Sequence, residues 1–291
     1  MRSLRKCRRP AALGASLVLA ASAMIVLPTP AFAASSRFVY GTDSSGPAPT
    51  GSAPYKNPSC GGRYGIYFGK IGGADLVGPG NPDGYGPGHS GAWNETAAVD
   101  ANTDHFTDKD GVGDSGFWYM LGPEAKPGTK PYTWGVQQAK WALADWARLT
   151  AKGSHRMPLK ILWADVEQPG ANGWSTSNTA ANRDVYNGFA ATVSSTKTDT
   201  LGLQIGVYST NVQWGAIMSG HAGLPNVWEW TAQTSLESKP KTCPAGFSGG
   251  GISAVFFGGQ TAKSPKAVAW QWSQGTGDYD SIDMSKNLPE S

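Results

Sequence analysis

Eight short runs rich in aromatic and β-branched residues recur along this chain, and their number constrains the fold more than any other feature. They span 37–43 (RFVYGTD), 64–69 (YGIYFG), 116–122 (GFWYMLG), 160–167 (KILWADVE), 203–210 (LQIGVYST), 226–233 (NVWEWTAQ), 254–260 (AVFFGGQ) and 267–274 (AVAWQWSQ). Each has the length and composition of a strand. Helical patterns separate several of them. Residues 132–149 can set Trp134, Trp141, Leu143, Ala144, Trp146 and Ala147 on one apolar face. Residues 177–195 open on Ser/Asn capping candidates and carry Val185, Phe189 and Val193 four apart, and 210–220 form a shorter helix ending at Gly220. Strands alternating with helices imply a parallel sheet, and eight of them imply an α/β fold of the (β/α)8 TIM-type barrel class. The first half is expected to be irregular and loop-rich. Residues 44–63 and 70–115 are crowded with Gly and Pro and lack a helical pattern, so loops are expected to replace some barrel helices there.

The start of the chain reads as a targeting segment rather than as part of this fold. Arg2, Arg5, Lys6, Arg8 and Arg9 precede an apolar, Ala-rich run that ends in "AFA" at Ala33, an A-x-A cleavage pattern. Residues 1–33 are therefore expected to be a secretory signal peptide, leaving 34–291 as one domain that is secreted, outside the cell or at its wall. Five of the chain's 24 basic residues leave with that segment, against 21 acidic residues that all remain. No basic run is left to suggest a nucleic-acid partner or an anionic membrane surface, and no second apolar run is long enough to span a bilayer. Cys60 and Cys243 remain after cleavage, and the exported compartment permits a disulfide between them. A monomer is expected.

Acidic residues cluster at strand ends. On a strand, residues two apart share a face, so Asp165 and Glu167 lie on the same side as Trp163 at the C-terminal end of the fourth run. In a barrel that end carries the active site. Two close carboxylates repel, and one then tends to keep its proton. A protonated carboxyl beside an ionised one can protonate a leaving oxygen and stabilise positive charge at a sugar carbon. Asp43 closes the first run, and Asp280 and Asp283 follow the last one. First and eighth strands are neighbours in a closed barrel, so Asp43 and Asp283 are expected to lie near each other, facing the D-x-E acids across the mouth. So many acids at one mouth are costly unless a ligand or a reaction uses them.

These blocks resemble glycoside hydrolase family 25, the secreted lysozymes or N-acetylmuramidases. They are "GTD" (41–43), "DVE" (165–167), and "WQWS" (270–273) followed by "SID" (281–283). Shorter blocks agree in order: "GFWYML" with Tyr119, "QQAKW", "GVYS" with Tyr208, and "WTAQ". The resemblance implies that Glu167 is the general acid and Asp165 its partner, with Asp43 and Asp283 as supporting acids. Tyr119, Tyr208, Trp230, Gln271 and Trp272 are the expected substrate contacts, a peptidoglycan-like wall polysaccharide is the implied partner, and no cofactor is required. The chain departs from the family after Asp43, where "SSGPAPTGSAPY" replaces the usual V-S-x-[WY]-Q, and in the Gly/Pro-rich insertion.

Other features carry less. Twelve tryptophans suit sugar stacking, but most aromatics in a barrel are packing. The Asp-rich stretch 100–114 only partly matches a calcium loop, and the four histidines lack metal-ligand spacing, so no metal is expected. Two rivals remain beside a muramidase. A chitinase-like barrel also uses a D-x-E pair, yet that family's longer acidic run is absent here. A non-catalytic carbohydrate-binding or surface-interaction protein on the same barrel is the alternative from another class.

Overall fold

A computed structural model describes residues 38–44, 66–73, 115–151, 157–198, 201–219, 227–232, 267–273, 278–284 and 287–289. The expected signal segment, Cys60, Cys243, the run 254–260, the Asp-rich stretch 100–114 and the side chain of Trp272 lie outside the described residues. The fold is mixed α/β. Eight strands pair in sequence order into a closed barrel: β1 (Phe38–Ser44), β2 (Ile66–Gly73), β3 (Ser115–Tyr119), β4 (Ile161–Asp165), β5 (Gln204–Ser209), β6 (Trp228–Ala232), β7 (Ala267–Ser273) and β8 (Asp278–Asp283). Three helices accompany them among the described residues: α1 (Pro131–Ala151), α2 (Thr179–Ser195) and α3 (Asn211–Met218).

The closure differs from a (β/α)8 barrel. Strands β1 to β7 pair in parallel, but β8 runs antiparallel to both β7 and β1. The run expected as the eighth strand is β7, and the closing strand is the segment expected to follow the barrel. The reason is chain length. Only residues 274–277 separate β7 from β8, and a parallel return needs a dozen residues or more, whereas a short Gly-containing link makes a hairpin. Strand β2 also runs further than expected, to Gly73.

The alternation of side chains divides the buried residues into two layers. Leu162 and Ala164 of β4, and Val166 just after it, pack outward with Trp118, Ile205 and Val207 against Trp146, Val185 and Phe189 of the helices. Ile161 and Trp163 point inward with Phe68, Phe117, Tyr208 and Trp230. Aromatic rings meet in this interior: Trp230 lies 4.5 Å from Phe68, 5.8 Å from Trp163 and 4.2 Å from Tyr208, ring centroid to centroid. Gly206 makes room for it, because a methyl group there would fall on the Trp163 indole.

The helix ends follow local chemistry. Pro131 opens α1 at the one position where its missing N–H costs nothing. The Asn178 side chain caps α2 through the Ala181 N–H (3.2 Å), and Thr210 caps α3 through the Gln213 N–H (3.0 Å). The "QQAKW" block has a structural explanation. Gln138 is fully buried, accepts from the Leu121 N–H and donates to the Leu121 carbonyl (2.9 Å each), tying α1 to the chain leaving β3.

Candidate active site

The C-terminal ends of the parallel strands define a mouth, and the register sets which side chains meet there. Tyr119, Asp165, Tyr208 and Trp230 are consecutive partners across β3, β4, β5 and β6, so they stand at one level. Asp165 is buried and shares the inward face of Trp163, as the D-x-E spacing predicts, and Glu167 follows two residues on, partly exposed. Asp43 stands near the end of β1, also partly exposed.

Asp280 joins this group, and Asp283 does not. Because β8 descends from the mouth, Asp278 pairs with Asp43, Asp280 with Gly41, and Asp283 with Phe38 at the opposite end of β1. The pleat also turns Asp283 to the face opposite Asp280 and the inward-facing Ile282. The expectation that Asp283 lies beside Asp43 is thereby corrected. It rested on a loop after β7, whereas the chain turns back as a strand and carries later residues away from the mouth. Asp280, completely buried, accepts a hydrogen bond from the Trp230 indole N–H at 2.9 Å.

Tyr208 is the point on which the acids converge. Burial pushes its hydroxyl pKa well above the usual tyrosine value, and the negative charges of Glu167, Asp43, Asp165 and Asp280 push it the same way. Tyr208 therefore remains a neutral donor. Its O–H donates to Gln271 Oε1 (2.7 Å), and Gln271 Nε2 donates to Asp43 Oδ2 (2.7 Å). That chain fixes the amide orientation and joins β5 to β1 across the mouth.

The expected substrate contacts separate into two kinds. Gln271 is buried and directs both ends of its amide at protein groups, so it positions Tyr208 and Asp43. Trp230, 1% exposed, packs its ring against Tyr208 and reaches the site through its bond to Asp280. Tyr119 and Tyr208 stand at the mouth itself. The Tyr119 hydroxyl accepts from Asn172 Nδ2 at 3.0 Å. Beside Tyr119 lies a residue that sequence reasoning missed. Lys70 is buried on β2, its Nζ 4.9 Å from the Tyr119 ring centroid, bringing positive charge to a mouth lined with acids. The signal was available: Lys70 stands two residues after Phe68, on the inward face.

No family model matches the chain, and no curated protein matches it in sequence. Solved structures match it in fold. The chain is similar to the spore cortex lytic enzyme SleM of Clostridium perfringens, with a TM-score of 0.51 and 11% identity, over 87% of this chain and 70% of that one. It is also similar to a family GH25 lysozyme from Aspergillus fumigatus, with a TM-score of 0.49 and 17% identity, over 87% of this chain and 100% of that one. A muramidase from Trichobolus zukalii matches with a TM-score of 0.44 and 14% identity, over 86% of this chain and 98% of that one. The chain thus shares a fold with the spore cortex lytic enzyme over 87% of its length.

Proposed function

We propose that this protein is an exported glycoside hydrolase that cuts an N-acetylated cell-wall polysaccharide, in the first instance peptidoglycan at its muramic acid linkage. The observation that carries the reading is the convergence of Asp43, Asp165, Glu167 and Asp280 on the buried Tyr208 at the mouth of the barrel. Gathering four carboxylates at one mouth, with Asp165 and Asp280 buried, is unfavourable unless the site stabilises positive charge that develops during a reaction. Glycosidic cleavage passes through such a state at the sugar carbon.

In this mechanism Glu167, at the rim, gives its proton to the glycosidic oxygen. Asp165, deeper and on the same face, stabilises the cation or the cyclic intermediate formed with the substrate's own acetamido group. Asp43 and Asp280 shape the field, with Gln271 holding Asp43 and Trp230 holding Asp280. The fold shared with a spore cortex lytic enzyme supports a wall polymer as substrate. The same reading takes residues 1–33 as the export signal, 34–291 as the single working domain, and Cys60 and Cys243 as a disulfide formed after export.

The test is to incubate the purified protein with several peptidoglycans and with chitin, beside Glu167→Gln, and to count new reducing ends. Release by the wild type and none by the variant is expected. Undiminished release by the variant would remove Glu167 from the mechanism. No release from any polymer, with both proteins sedimenting with one of them, would replace catalysis by carbohydrate binding.

A further inference from the structure

The residue after the proposed acid is held in a conformation it would not choose. Gln168 has φ 57°, in the left-handed region that non-glycine residues rarely occupy. It also precedes Pro169, and the proline ring favours extended backbone at the preceding position. Such a conformation persists only where the surroundings over-determine it, and it gathers at functional sites.

Here the surroundings are explicit. The Gln168 N–H donates to Gln213 Oε1, the Gln168 carbonyl accepts from the Ala171 N–H (2.9 Å), and its side-chain Oε1 accepts from Asn172 Nδ2 (3.3 Å). The Gln213 backbone is itself held, because it lies in the first turn of α3 and its N–H is bound by the Thr210 cap. On the other side of Glu167 the backbone is equally held. The Val166 N–H donates to the Tyr208 carbonyl (2.9 Å), and the Val166 carbonyl accepts from Ser209 Oγ (2.6 Å). Glu167 therefore sits between two residues whose backbone N–H and carbonyl groups are all bonded. Without the clamp, an extended Gln168 would prolong β4 and lift Glu167 off the rim.

We infer that Gln213 on α3, with Asn172 in the loop after β4, locks Gln168 in its left-handed conformation and so positions the Glu167 carboxyl for proton transfer. Neither residue touches the reacting atoms in this scheme. Both are positioning residues, and the inference rests on the proposed role of Glu167.

The experiment compares wild type, Glu167→Gln, Gln213→Ala and the double variant Gln213→Ala/Gln168→Gly in the reducing-end assay, with thermal melts of each. Gln213→Ala is expected to lower kcat about tenfold to a hundredfold with KM changed little, since a small misplacement of a catalytic group has that effect. Glycine occupies the left-handed region without penalty, so the double variant should regain part of the lost kcat. A purely structural role for Gln213 would lower the melting temperature without this split or this rescue. Gln213→Ala with wild-type kcat, beside an inactive Glu167→Gln, would overturn the inference and leave the proposed function standing. An inactive wild type, or a fully active Glu167→Gln, would overturn both.

Discussion

Asp280 and Asp283 lie on opposite faces of β8, three residues apart along it, and that difference fixes what each substitution should do. Asp280 lies on the inward face, bonded to the Trp230 indole, and its charge acts on Tyr208. Asp280→Asn preserves shape and an acceptor for the indole while removing the charge. It is expected to lower kcat on the order of a hundredfold, the scale of losing one electrostatic contributor in a closed site. Asp283 is buried opposite Phe38, away from the mouth. Asp283→Asn is expected to lower the melting temperature while kcat per folded molecule stays near the wild-type value. Measuring kcat and thermal stability of both variants decides it, and a kcat loss confined to Asp283→Asn would contradict the placement of the site. The sequence made half of this legible. Period-two spacing brings Asp165 and Glu167 to one face without any structure, and Asp43 to a strand end. It could not choose between Asp280 and Asp283 until the direction of the last strand was known, because reversing a strand exchanges its mouth and base ends. Lys70 escaped notice because the expected run stopped at residue 69, whereas β2 continues to Gly73 and buries Lys70 against Tyr119.

At the scale of elements, α1 and α2 approach closely because two glycines let them. A methyl group at Gly135 would fall on the Val185 carbonyl oxygen, and one at Gly188 on the Tyr132 carbonyl oxygen, so each helix seats its backbone where the other has no side chain. Two effects oppose each other in Gly188→Ala. Helix propensity alone would favour the alanine by about 1 kcal/mol. Forcing the helices apart from a backbone oxygen that cannot turn aside costs about 1–3 kcal/mol, and the displaced layer includes Trp134 and Phe189. The clash should win. Gly188→Ala is therefore expected to be less stable in urea unfolding, and a net stabilisation would mean that the helices have slack between them. The existence and type of α1, α2 and α3 were legible from apolar spacing and capping residues, since those are local signals. The role of the two glycines was not legible, because what each contacts lies on the other helix, far away in the chain. The antiparallel β8 was missed, because an acidic, tyrosine-bearing segment resembles a loop when read beside strands made of Trp and Val.

Across the whole molecule, each of the two buried layers encloses a tyrosine that is held neutral. Tyr208 stands inside the barrel, and Tyr186 lies in the outer layer on α2, edge-on to Trp214 at 5.2 Å. Burial is the larger cause of the raised pKa in both, followed by Glu229 for Tyr186 and by the four mouth acids, Glu167 first, for Tyr208. The sign of the stability effect follows. Both groups keep their protons in the folded state at pH values where the unfolded chain releases them, near the ordinary tyrosine pKa of about 10. The stability tied to their neutral form is complete below that pH. It is lost as pH rises beyond it, because the unfolded state then binds fewer protons than the folded one. Each phenol should contribute a slope of about 1.4 kcal/mol per pH unit above pH ~10. Stability in urea should therefore be flat with respect to these groups up to about pH 9 and fall steeply above pH ~10. Phenolate absorbance should show these two tyrosines ionising only as the fold is lost. Tyr186→Phe removes one of the two groups and should reduce the alkaline slope by about one phenol's share while leaving the mouth intact. If both phenols instead titrate near pH ~10 in the folded protein, solvent reaches the two layers, and the low-dielectric mouth that the proposed acid role of Glu167 requires would not exist.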